Sequence, residues 1–204
     1  DTSLQVVSRN ADGAVADESC VSPSISADGR FVAFSSEAGN LLLDQDMSGQ
    51  GAQIYLYDRI LSSLRLVSVN SENEPADSSC VKPTLSATGR YLLFASNAGN
   101  LGSEEGLGVQ CESRGFFRRD LSSGAYERLT ADQLGIEPSG NSSPVLSGNG
   151  LALAFVGRPP ATEDLPEPES QIYLVQLEGE ADSLVVEEPS VSRLMRRVNA
   201  AVAA

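Results

Sequence analysis

The chain of 204 residues carries 28 acidic against 14 basic side chains, for a formal net charge of -14, with three cysteines and neither histidine nor tryptophan. Without an imidazole there is no Ser-His-Asp or Cys-His nucleophile, no histidine-held zinc and no histidine-bound haem. The negative charge repels phosphate and the cations form no dense basic run, which argues against nucleic acid as a partner.

In chain order, the first element is residues 4–10 (LQVVSRN), a short strand that matches the later segments LRLVSVN and YERLTAD. From Ala16, ADESCVSPSISADGRFVAFSSEAGNL matches ADSSCVKPTLSATGRYLLFASNAGNL, which starts at Ala76, at 16 of 26 positions with no gap and an offset of 60. A third copy, NSSPVLSGNGLALAFVG, begins near Asn141 and keeps Pro144, Ser147, Gly150 and Phe155 for Pro23, Ser26, Gly29 and Phe34. Downstream halves repeat too, in QIYLYDRILSSLRLVSV from Gln53, GFFRRDLSSGAYERLT from Gly115 and QIYLVQLEGEADSLVV from Gln171. Self-similarity at a fixed period marks an array of like units. Residues 16–75, 76–135 and 136–188 make three of them, preceded by an outer strand in 1–15 and followed by a tail, 189–204.

Each unit predicts four short antiparallel strands. A first strand at residues 24–26, with proline at its mouth where no ladder N–H is needed, turns at Asp28-Gly29 into the apolar second strand RFVAFSS. Thr88-Gly89 and Asn149-Gly150 hold the same place in the other units. A long polar loop leads to a third strand, residues 54–57, and a Ser/Gly turn to a fourth, residues 64–69; residues 184–187 serve as the fourth strand of the last unit. Tyr55, Tyr57, Phe116, Phe117 and Tyr173 recur on third strands as packing between units. The fold class is therefore all-β: three four-stranded antiparallel blades of a β-propeller. In the tail, Val191, Leu194, Met195 and Val198 follow helical spacing with Arg193, Arg196 and Arg197 on the other side. That pattern is a short C-terminal helix packed on the blades, or a docking helix for an acidic or apolar partner.

The string SPSISADGRFVAFSSEAGNL followed by IYLYDR and LRLVSV resembles the WD40-like repeat of TolB-type propellers, over residues 4–188. The resemblance implies blades of a six-bladed ring, export to the periplasm or beyond, and work as a protein-interaction platform more than as a catalyst. No stretch approaches the roughly 20 apolar residues of a transmembrane helix, and a secretion signal is expected to have been removed or to lie outside these residues. Three blades leave a ring open. A longer parent chain, a second copy or a different protein is expected to complete it, with residues 4–10 closing the last blade or belonging to a preceding one.

Three candidate features remain. Cys80 and Cys111 lie on loops that open on one face of a blade and could form a disulfide, leaving Cys20 unpaired; the alternatives are that another pair forms or that all three stay reduced. Asp44, Asp46 and Ser48, followed by Gly49, reproduce the start of a calcium loop whose later acid is missing; no other cofactor is indicated. Nothing places two carboxylates across a sugar cleft, and no G-x-S-x-G elbow occurs. Finally, 18 of the 28 acids fall on loops that a propeller sends to one face, among them Asp44, Asp46, Glu104, Glu105, Glu163 and Asp164. The sequence thus reads as a non-enzymatic interaction scaffold with an acidic face, the alternatives being a propeller domain of a larger hydrolase or a calcium-stabilised structural propeller.

Overall fold

Apolar strands joined by tight turns pair with their sequence neighbours, because a short hairpin costs the least chain entropy to close. The computed structural model describes residues 4–45, 47–101, 115–129, 134–138, 143–159 and 169–182. Blade one is a four-stranded antiparallel sheet of β1 (Cys20–Ile25), β2 (Phe31–Ser36), β3 (Gln53–Asp58) and β4 (Ser63–Leu66), in that order. Blade two repeats it with β5 (Cys80–Leu85), β6 (Tyr91–Ser96), β7 (Gly115–Asp120) and β8 (Tyr126–Leu129). In blade three, β9 (Glu137–Pro138) and β10 (Val145–Leu146) both pair with β11 (Ala152–Arg158), which pairs with β12 (Gln171–Gln176). Residues 184–187 and the tail 189–204 lie outside the described residues.

In blades one and two the first strand begins earlier than its proline suggests, whereas β10 starts directly after Pro144. Pro23 sits inside β1, where the register jumps from Val21↔Ser35 to Ser24↔Ala33. Pro83 sits likewise between Val81↔Ala95 and Thr84↔Leu93. A bulge absorbs the residue that has no N–H to donate, and the residue before it, Ser22 or Lys82, takes a left-handed backbone at φ 53° or 58°.

The hairpin turns follow one plan. Ser26 Oγ accepts the Phe31 N–H at 2.9 Å and donates to Asp28 Oδ1, which also takes the Arg30 N–H. Ser147 and Asn149 do the same in blade three. In blade two the turn holds Thr88, and the acid comes from the neighbouring blade: buried Asp182 accepts from Ser86 Oγ at 2.6 Å, from the Thr88 N–H at 3.0 Å and from Thr88 Oγ1.

The core lies between sheets. Ala33, Ile54, Leu56 and Val67 of blade one meet Leu85, Leu92, Phe94 and Phe117 of blade two. Tyr91, Leu93, Ala95 and Phe116 on the far side of blade two meet Leu146, Leu153 and Phe155 of blade three. Each leucine, isoleucine, valine or phenylalanine among them taken fully from water contributes about 1.5–3 kcal/mol. The turns also stack: the Ala27 N–H donates to Ala87 O and the Ala87 N–H to Gly148 O, each at 2.8 Å. Arg118 crosses the second joint, donating to Gly150 O and Glu178 O while pairing with Glu127.

Candidate interaction face

Strand direction sorts the connections into two ends. β1 runs from Cys20, paired with Ser36, to Ile25 beside the turn, so loops 10–19, 37–52 and 67–79 emerge together at the end opposite the hairpin turns. Their shape comes from a clamp that recurs at the repeat spacing. Asp17 Oδ1 accepts the Gly39 N–H at 3.0 Å, while Asn40 Oδ1 takes the Asp17 N–H and its Nδ2 donates to Val15 O. Asp77 and Asn100 make the same three bonds to Gly99, Asp77 and Pro75. The clamp explains why AD and AGNL return together in both units, a pairing that the sequence motif contained but did not disclose. Between them Met47, 1% exposed, plugs loop 37–52 and donates its N–H to Gly39 O.

These loops contain Asp12, Asp17, Glu18, Glu37, Asp44, Glu72, Glu74 and Asp77, all exposed, and no lysine or arginine among their described residues. Asp17 and Asp77 are used by the clamps, and Glu74 accepts from Asn70 Nδ2. At the border, Arg9 donates to Gly13 O. The cations with resolved ion pairs stand elsewhere. Arg30 pairs with Asp58 at 2.7 Å, and Arg90 with Asp120 at 3.0 Å and Glu180 at 3.4 Å, all at the turn end, while Arg118–Glu127 lies within blade two. The Arg30 hydrogen bond holds the Asp58 carboxyl below its ordinary range. Burial would raise that of Asp120, but bonds from Ser122 and Arg90 outweigh it and hold it low as well.

Of the residues singled out from sequence, Asp44 is exposed on this face and Ser48 follows Met47 in the same loop. Asp46, the middle residue of the candidate calcium loop, lies outside the described residues, among which no group of three ligating side chains gathers. Glu104, Glu105, Glu163, Asp164, Arg193, Arg196 and Arg197 also lie outside them, as does Cys111. Cys20 and Cys80 are free thiols. Cys80 is the first residue of β5, not part of an open loop, and is fully buried in the joint between blades one and two. Its Sγ faces Ser96 Oγ at 3.4 Å, and burial pushes the thiol up to about 12. No described helix is long and apolar enough to cross a membrane.

No family model and no curated protein matches the chain. Among solved structures it is similar to TolB from Acinetobacter baumannii, at 16% identity over 79% of this chain and 30% of that one, with a TM-score of 0.43. It is similar to the β-propeller domain of the Trilobed protease from Pyrococcus furiosus, at 18% identity over 81% and 43%, with a TM-score of 0.46. It is also similar to the Pyrococcus horikoshii acylaminoacyl peptidase, at 19% identity over 86% and 27%, with a TM-score of 0.45. The chain spans less than half the length of these three proteins. The likeness is one of fold.

Proposed function

We propose that the chain is a non-enzymatic propeller module of the periplasm or extracellular space, which holds a basic protein partner on its acidic loop face. One observation carries the reading. Asp12, Glu18, Glu37, Asp44 and Glu72 stand in solvent, and their side chains make no ion pair or hydrogen bond among the described residues, whereas Arg30, Arg90 and Arg118 pair with acids at the turn end or within blade two and Arg9, at the border of the face, donates to Gly13 O. Uncompensated charge of one sign on a rigid surface steers an oppositely charged partner and weakens as salt shortens the Debye length. The clamps hold the loops in place, so little ordering entropy is lost on binding. Glu104, Glu105, Glu163 and Asp164 would extend the same face over blades two and three.

The test is calorimetric titration with a lysine-rich synthetic peptide, at low salt and at about 0.3 M salt. Affinity should fall at least about tenfold between the two. The triple variant Glu18→Gln/Glu37→Gln/Glu72→Gln, which breaks no clamp, should weaken low-salt binding by a similar factor. Equal affinity of this variant and the native chain would overturn the assignment.

A further inference from the structure

The tetrapeptide QIYL opens both β3 and β12. In blade one Ile54 and Leu56 are 0% and 1% exposed, covered by blade two. Their counterparts in blade three, Ile172 and Leu174, are 75% and 67% exposed. Alternation along the strand accounts for the direction, since Tyr173 and Val175 turn towards blade two, leaving Ile172 and Leu174 on the opposite face. Leucine and isoleucine at identical register are thus core in one copy and bare in the other.

The far end of the array shows the complementary contrast. Cys80 and Leu85 of β5 are 0% and 7% exposed against blade one, while Cys20 and Ile25, at the same positions of β1, are exposed, Ile25 at 62%. The backbone stops at the same two places. Among the described residues, the turn ladder leaves the Ala27 carbonyl open at one end and the Gly148 N–H open at the other. Gly29, whose counterparts Gly89 and Gly150 lie against Phe31 and Tyr91, has among the described residues only Arg59 Nη2 near it, 3.9 Å from where a Cβ would stand. What one end lacks, the other end offers: an N–H for a carbonyl and a QIYL face for a β1 face.

We propose that the outward face of blade three, centred on Ile172 and Leu174, receives the open side of blade one of a second copy, so that two chains pair head to tail into a six-bladed ring. The argument is continuity: the joint between copies repeats the two joints inside the chain. It does not rest on the acidic-face reading. Ala152 stands in blade three where Phe31 and Tyr91 stand in the others, so Gly29 of the second copy meets a smaller side chain. The joint between copies is therefore the weakest of the three kinds, and the pair forms reversibly with concentration.

Light scattering on the full chain tests this from low micromolar concentration upwards. The mass should rise from 21.4 kDa to twice that value. Ile172→Arg/Leu174→Arg and Ile25→Arg alter exposed positions only, so both variants should keep the native circular dichroism while staying monomeric. Mixed together, they retain one good joint, between the intact blade one of the first and the intact blade three of the second, and should form a heterodimer at least about tenfold weaker than the native pair. A native chain that stays monomeric throughout would overturn the proposal, and the faces would then await a blade from a longer chain or another protein. Native-strength dimers of Ile25→Arg alone would overturn it in favour of face-to-face pairing through blade three. Growth in mass beyond two chains would overturn closure.

Discussion

Gly89 lies so close to the ring of Phe31 that a Cβ on it would stand 2.6 Å from the ring's Cδ2. The glycine belongs to the turn of blade two and the ring to blade one, so a residue chosen for its left-handed backbone, at φ +77°, also sets the spacing of two blades. Gly89→Ala should cost about 3 kcal/mol, combining backbone strain with overpacking. Gly13, at φ +85° with nothing within 4 Å of a Cβ, is the control, and Gly13→Ala should cost about 1 kcal/mol. Urea unfolding of the two variants measures the difference.

The duplicated QIYL strand makes a second pair of experiments. Leu56→Ala opens a cavity between blades and should destabilise by about 2–5 kcal/mol. Leu174→Ala, at dilution where single chains prevail, should change stability by less than about 0.5 kcal/mol. Thermal unfolding separates the two outcomes.

Acid should loosen the turn end first. Asp58 is held below its ordinary value of 3.8, chiefly by the hydrogen bond from Arg30. Asp28 is lowered too, chiefly by the Ser26 hydroxyl. A carboxylate depressed by folding stabilises fully above its unfolded pKa, and that contribution is lost as pH falls through the folded value. Stability from these groups should therefore be flat from neutrality down to about pH 5 and decline below about 3.8. Asp58→Asn should shallow the decline in urea midpoints measured across that range.

The two free thiols should differ in chemistry despite occupying one repeat position. In a Cys111→Ser background, Cys20 should react with a thiol reagent at pH 8 in the native protein. Cys80, buried and pushed up to about 12, should react only after denaturant is added. Equal native rates would contradict the burial of the joint.

Much of the blade could be read locally. The Asp28-Gly29 turn and the alternation in QIYL depend on neighbours within a few residues, so the second and third strands of blades one and two fall where the motifs place them, whereas residues 4–10, expected as a strand, make only the Arg9–Val15 bridge. Pro23 misled, because a bulge lets proline sit mid-strand, and the bulge depends on a left-handed Ser22 that no propensity announces. The difference between Cys20 and Cys80 is invisible in principle from local sequence: both follow the same pattern, and only the presence of a neighbouring blade buries one of them. Asp182 belongs to the same class. It supplies the acid for a turn some ninety residues earlier, a relation set by how blades stack and not by spacing along the chain.

The one-sided placement of arginine also writes a cleavage map. Loops 10–19, 37–52 and 67–79 hold no lysine or arginine, so trypsin has no target within them. A glutamate-specific protease meets the reverse pattern, with Glu18, Glu37 and Glu72 presented on the proposed partner face. The two enzymes together turn protection by a bound partner into a footprint that needs no label and no substitution.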